Sequence, residues 1–367
     1  MKLPSCLLAL VFASALTAAE PLQLTLPPVV YATPDVEMSI YHDNIVLTEK
    51  PSDYRFEFAC KLGKSEAQRW TVKAGDSDVG DHPVEITVKD VEGKIVERGK
   101  TMLHVSPRKA GDGKSLRLLI VGDSLTHGTI YPNTMASLLA RPGNPKWTML
   151  GTHKPSSVLP GVAHEGYGGW KWSDFLTKYT PQVPGVTAGP LARKSTSPFI
   201  FPGKDGKTGV FDLARYFRED CGNQPPDVVT FLLGINDCFG ADPNKPDVMI
   251  NAVLDHADKL LAEFHKAAPK AMLAVGLTTP PNARQEGFTA NYKDKYPRWG
   301  WKRIQHRLVQ IMLKRLSNRE KEGIYLVPTE LNLDPVDGYP NNNGVHPNAV
   351  GYAQIGASFY SWMKAKL

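Results

Sequence analysis

Residues 118–128 read LLIVGDSLTHG, from Leu118 to Gly128. Four aliphatic residues run straight into a glycine. A short apolar run without polar alternation is the pattern of a strand buried on both faces, as in a parallel sheet. The residue just past such a strand stands at the carboxyl edge of the sheet, where open α/β sheets hold their ligands. Ser124 occupies that place. It is either a turn or helix-capping residue or a nucleophile, and the rest of the chain has to separate the two.

Four further runs share this character: WTMLG (147–151), DVVTFLLG (227–234), AMLAVGL (271–277) and GIYLVP (323–328). Helical periodicity lies between them. Asp247–His265 places Ile250, Val253, Leu254, Ala257, Leu260, Leu261 and Phe264 on one face. A second helix carries Ile304, Leu308, Ile311, Met312 and Leu316, and a third is expected from Pro347 to about Lys364. Alternating strand and helix predicts an α/β fold: a three-layer α/β/α sandwich around a mostly parallel five-stranded sheet over residues 116–367. Residues 180–226 and 280–298 lack a period and are rich in Pro, Gly and aromatic residues, so they read as long loops walling a cleft.

The chain ahead of this region differs. YRFEFACKL (54–62), HPVEITVKD (82–90) and KTMLHVSP (100–107) alternate with period two between turn signals, which predicts a small antiparallel β-sandwich over residues 20–107. Arg108–Ser115, polar and glycine-rich, reads as a linker. Residues 1–19 have a basic start at Lys2, an apolar centre at Leu7–Phe12 and small residues at Thr17-Ala18-Ala19, the make-up of a secretory leader. A secreted or periplasmic location follows as an expectation. No later stretch is apolar for the ~18 residues of a membrane helix.

The formal charge of +6 becomes +5 without residues 1–19, which hold Lys2 and no acid. Its basic residues are scattered rather than blocked, which argues against a nucleic-acid partner. Cys60, Cys221 and Cys238 remain, too few and too odd in number for a disulfide scaffold. Cys221 and Cys238 are either paired or free.

Four motifs fall at strand ends or before the last helix: GDSLTHG (122–128), HEGYGGW (164–170), LLGIND (232–237) and NGVHPN (343–348). Singly, each has a plain structural reading as a cap or a turn. Together and in this order they resemble the SGNH/GDSL hydrolase family, over about residues 116–366. The tail NGVHPNAVGYAQIGASFYSWM is similar to the last block of the bacterial carbohydrate-esterase branch. The resemblance implies a flavodoxin-like fold, serine ester hydrolysis, and an accessory β-domain in some secreted members.

The residue chemistry agrees. A serine hydroxyl attacks an ester only when a base takes its proton, and His346 is the natural base. The oxyanion formed needs fixed donors. By resemblance these are the backbone N–H groups of Ser124 and Gly169, with Gly168 as the near alternative, and the side-chain amide of Asn236. One position departs from the family pattern. Where an aspartate usually stands three residues before the histidine, this chain has Asn343. An amide oxygen accepts a hydrogen bond from the histidine but supplies no negative charge. The orienting group is therefore Asn343, a backbone carbonyl, or one of Asp334 and Asp337.

His127, His153 and His164 match no metal-ligand spacing and read as separate surface or cleft residues, so no metal and no cofactor are expected. Trp170, Trp172, Phe199, Phe211 and Tyr292 are either sugar-stacking or packing residues. Trp170 and Tyr292 are taken as the substrate-binding pair. The resulting expectation is a secreted serine esterase that deacetylates a carbohydrate. Its rivals are a lipase or arylesterase of the same fold, and a non-catalytic glycan binder, which only Asn343 favours.

Overall fold

Leu118, Leu119, Ile120 and Val121 have no exposed surface, because they form the centre of a parallel sheet covered on both sides. The computed structural model describes residues 22–181 and 195–367, so the expected leader lies outside it. Five strands make the sheet: β1 (Ser115–Gly122), β2 (Lys146–Leu150), β3 (Val228–Leu232), β4 (Met272–Gly276) and β5 (Ile324–Val327). They pair in parallel in the spatial order 2-1-3-4-5. A two-residue strand, Glu165–Gly166, extends the β2 edge by pairing with Val121 and Gly122, beyond the end of β2.

This order fixes where chemistry can occur. From β1 the chain crosses outward to β2 and, in the other direction, to β3, β4 and β5. Right-handed crossovers running in opposite directions put their helices on opposite faces. Ile130–Leu139 packs with the last helix, Ala349–Lys366, while Asp247–Ala267 packs with Arg298–Leu316. All seven apolar positions read from the sequence of Asp247–Ala267 are buried. The crevice between β1 and β3, where the direction of crossing reverses, is the switch point that binds ligands in such sheets.

The N-terminal region is a sheet-rich module with one departure from expectation. Its larger sheet has the order Val29–Ala32, Ile95–Val105, Gly80–Lys89, Arg55–Ala59. The first pair is parallel, not antiparallel, since a long excursion through the other strands separates Val29–Ala32 from its partner. A three-stranded antiparallel sheet, built on Glu37–Tyr41 and Arg69–Lys73, accompanies it. Their shared core holds Val30, Ile40, Val84, Val88 and Leu103, and also Leu331 from beyond β5.

Other segments are more ordered than their composition suggested. In 180–226 the described residues include a hairpin, Ile200–Pro202 with Gly209–Phe211, and the helix Leu213–Glu219. In 280–298 lies the helix Gln285–Tyr292. These elements are too short to print a period in the sequence. The expected linker is pinned, with Lys364 Nζ donating to the carbonyls of Arg108 (2.7 Å), Ala110 (2.5 Å) and Gly143 (2.8 Å). The last helix starts at Ala349 rather than Pro347, because Asn348 caps it through the N–H groups of Val350 and Gly351. Cys60, Cys221 and Cys238 are free thiols.

Candidate active site

The turn after β1 is built for close packing. A Cβ on Gly122 would come within 2.0 Å of Thr126 Oγ1 and 2.9 Å of the Leu232 carbonyl, so only glycine fits. Asp123 then caps the short helix Ser124–His127, its Oδ1 accepting from Leu125 N–H at 3.0 Å. That cap leaves Ser124 as the first helical residue, half-buried at the sheet edge. Asp123 itself is buried. Burial, reinforced by the nearby Asp237 carboxylate, pushes its pKa up to about 7.

His346 reaches the same point from the far end of the chain. Its Nε2 lies 2.8 Å from Ser124 Oγ. On the other side of the ring, Nδ1 lies 3.1 Å from Asn343 Oδ1. That oxygen also accepts the backbone N–H groups of Val345 (3.1 Å) and His346 (2.9 Å). Two N–H donors facing Oδ1 fix the amide with its oxygen inward, since a flipped amide would set N–H against N–H. The proton of the neutral imidazole is therefore held on Nδ1, leaving Nε2 as the acceptor for the serine hydroxyl. Burial lowers the pKa of His346.

Neither alternative acid takes this place. Asp334 Oδ1 closes a turn by accepting from Val336 N–H (2.8 Å) and Asp337 N–H (2.9 Å). Asp337 is exposed, 3.6 Å from Arg284. Both serve the loop, not the ring.

The donor side of the site comes from β3 and from HEGYGGW. Leu232 pairs with Gly122, so Asn236 stands just beyond β3 next to the β1 turn. Asn236 Nδ2 donates to the Trp170 carbonyl at 3.0 Å and reaches Asp123 Oδ2 at 3.4 Å. One amide hydrogen is well bound; the other has only a long contact and is the one free to turn to a ligand. Gly169 is exposed with φ +82°, and Trp170 N–H bonds back to the Tyr167 carbonyl. This is a tight turn with the left-handed residue third, which calls for glycine at 169 and not at 168. Gly166 anchors the motif under the short helix Ser124–His127, where a Cβ would lie 2.4 Å from Thr126 Cβ.

The substrate-binding assignment of Trp170 is corrected. Its ring is 1 % exposed, packed against Tyr167 and Phe175, so it offers no stacking face; its carbonyl is what meets the site, through Asn236. Trp172 and Phe199 are core residues too. Tyr292 is half-buried against Phe239, Phe288 and Tyr296. The histidines are not separate either: His153 Nε2 lies 3.0 Å from His127 Nδ1, and the ring of His164 meets that of His153 edge-on. Among the described residues, no group of three or more His, Cys, Asp or Glu could hold a metal ion.

Two participants went unread in the sequence: Asn282, which belongs to no motif, and Asp237, which closes LLGIND. Buried Asn282 donates to the carbonyls of Asn343 (2.9 Å) and Pro340 (3.0 Å), holding the histidine loop from behind. Asp237, whose pKa burial raises to about 7, accepts from Trp172 N–H at 3.0 Å. Position just past β4 is the only signal for Asn282, whereas Asp237 stands within LLGIND beside Asn236.

Comparison with protein families matches residues 118–359 to the GDSL-like Lipase/Acylhydrolase family. No curated protein sequence matches the chain. Solved structures similar to it include a family 3 carbohydrate esterase of Clostridium thermocellum, at 18 % identity and TM-score 0.40, covering 67 % of this chain and 94 % of that one. A family 3 carbohydrate esterase from Talaromyces cellulolyticus is similar at 15 % identity and TM-score 0.41, over 69 % and 99 % of the two chains. A carbohydrate acetylesterase family member from Sinorhizobium meliloti is similar at 12 % and 0.39, over 69 % and 100 %.

Proposed function

The chain belongs to the GDSL-like lipase/acylhydrolase family, and from that membership we propose that it cleaves carboxylic esters through an acyl-enzyme on Ser124, acting on an acetylated carbohydrate. The observation that carries the reaction is the 2.8 Å contact between Ser124 Oγ and His346 Nε2. Nε2 takes the hydroxyl proton as Oγ bonds to the ester carbonyl carbon. The carbonyl oxygen becomes an oxyanion facing the N–H groups of Ser124 and Gly169 and the amide of Asn236. The imidazolium then protonates the departing alkoxide, leaving acyl-Ser124. Water, deprotonated by the same Nε2, releases the acid and restores the serine. Asn343 holds the imidazole in register throughout but adds no charge.

The carbohydrate reading rests on the C-terminal block 343–363. The leader-like residues 1–19 support action outside the cytoplasm, in the periplasm or the medium. A glycan-binding role without catalysis is favoured by one observation, the neutral Asn343. One experiment separates the two: incubation with a serine-directed phosphonate, followed by peptide mass mapping. An adduct on Ser124, absent in His346→Ala, supports the esterase. An unlabelled wild type, with binding to acetylated glycans, supports the binder.

A further inference from the structure

The segment between β5 and the last helix, residues 328–348, brings Asn343 and His346 to Ser124. It has no regular structure of its own, and so long a loop must draw its order from elsewhere. Its first part is planted in the N-terminal module. Leu331 is fully buried in the core of that module. Asn44 Nδ2 donates to the carbonyls of Glu330 (2.7 Å) and Leu333 (2.8 Å) and reaches that of Leu331 (3.4 Å). Tyr41 N–H donates to the Leu331 carbonyl at 3.2 Å, and Ser39 N–H to Asn332 Oδ1 at 2.8 Å.

From there a chain of bonds leads to the histidine. Gln354 on the last helix accepts from Asp334 N–H (2.9 Å) and donates to the Tyr41 hydroxyl (3.3 Å). Asp334 closes the turn that follows. Asn348 then donates to the carbonyls of Gly338 (2.9 Å) and Asp337 (2.8 Å), two residues past His346.

Resting on the esterase reading above, we propose that the N-terminal module positions the catalytic histidine: Asn44 and Leu331 clamp the base of the loop, and Gln354 relays the clamp to His346. The module's own surface plays no part in this role. A loop released at 330–333 moves His346 relative to Ser124. Displacement by about 1 Å is enough to cost on the order of 100-fold in rate.

The test uses the full chain and three variants. Asn44→Ala removes the clamp. Gln354→Leu, half-exposed on a stable helix, cuts the relay without opening the core. Val88→Ala, in the other sheet of the module, is the control for general destabilisation. Hydrolysis of a chromogenic acetyl ester gives kcat and KM, and hydrogen exchange reports on residues 338–348. The expected result is a kcat loss on the order of 10- to 100-fold in Asn44→Ala, with KM within about twofold. Exchange at 338–348 should quicken, Gln354→Leu should shift both readouts the same way, and Val88→Ala should keep wild-type kcat. Unchanged kcat and exchange in Gln354→Leu, or an equal kcat loss in Val88→Ala, overturns the proposal. An inactive wild type would sink the esterase reading instead, and exchange in the variants would still decide whether the module holds the loop.

Discussion

Asn343 presents its amide oxygen, not its nitrogen, to Nδ1 of His346 at 3.1 Å. The backbone N–H groups of Val345 and His346 enforce that orientation. An asparagine in place of the usual acid can select the wrong histidine tautomer; here the backbone prevents it. What the site lacks is only the negative charge that would stabilise the imidazolium.

Asn343→Asp supplies that charge without changing the geometry. We expect kcat on a chromogenic acetyl ester to rise, by about tenfold for each 1.4 kcal/mol of added stabilisation. A fall in kcat with an unchanged fold would show that the neutral amide is what this site requires.

The pH profile should carry the same signature. In the proposed mechanism His346 must be neutral to act, and burial disfavours its charged form. The acid limb of kcat/KM should therefore lie below the ordinary imidazole value of about 6.5. Asn343→Asp favours the charged form and should move the limb to higher pH. A limb that stays in place would mean that another group controls it.

On the donor side, Asn236→Ala should lower kcat by on the order of 10²–10³. Gly169→Ala meets open space but must hold a Cβ at φ +82°, so it should lose activity with its fold intact. Gly168→Ala, also in open space but without positive φ, should stay near wild type. Circular dichroism and ester kinetics on the pair distinguish the two glycines, and equal losses would remove the special role of 169.

A stability prediction concerns Glu330, buried at the base of the histidine loop. Burial raises its pKa to about 8, and Oε2 has no hydrogen-bond partner among the described residues. The folded state keeps its proton where the unfolded chain has lost it. Its contribution is thus full below the unfolded value near 4.3 and is lost as pH rises to about 8. Glu330→Gln should therefore unfold at a Tm that falls less than wild type between pH 5 and 9, the gap amounting to on the order of a few kcal/mol. Parallel curves would place the carboxyl in water.

Five strands, three long helices and the four motifs at the sheet edge were legible in the residues alone. Each of these is local: an unbroken apolar run is a buried strand, and a glycine in front of a serine marks where it turns. The seven buried positions of Asp247–Ala267 were legible for the same reason. What depends on partners distant in the chain became visible only in the folded molecule. Trp170 is a core residue because Tyr167 and Phe175 enclose it, and nothing in WKW tells a packed ring from an open one. The spacing of Asn343 and His346 named the pair, but only the fold showed that Asp334 and Asp337 are turned to the loop instead. Leu331 lies in the core of a module some three hundred residues earlier in the chain, a contact that only the closed fold creates.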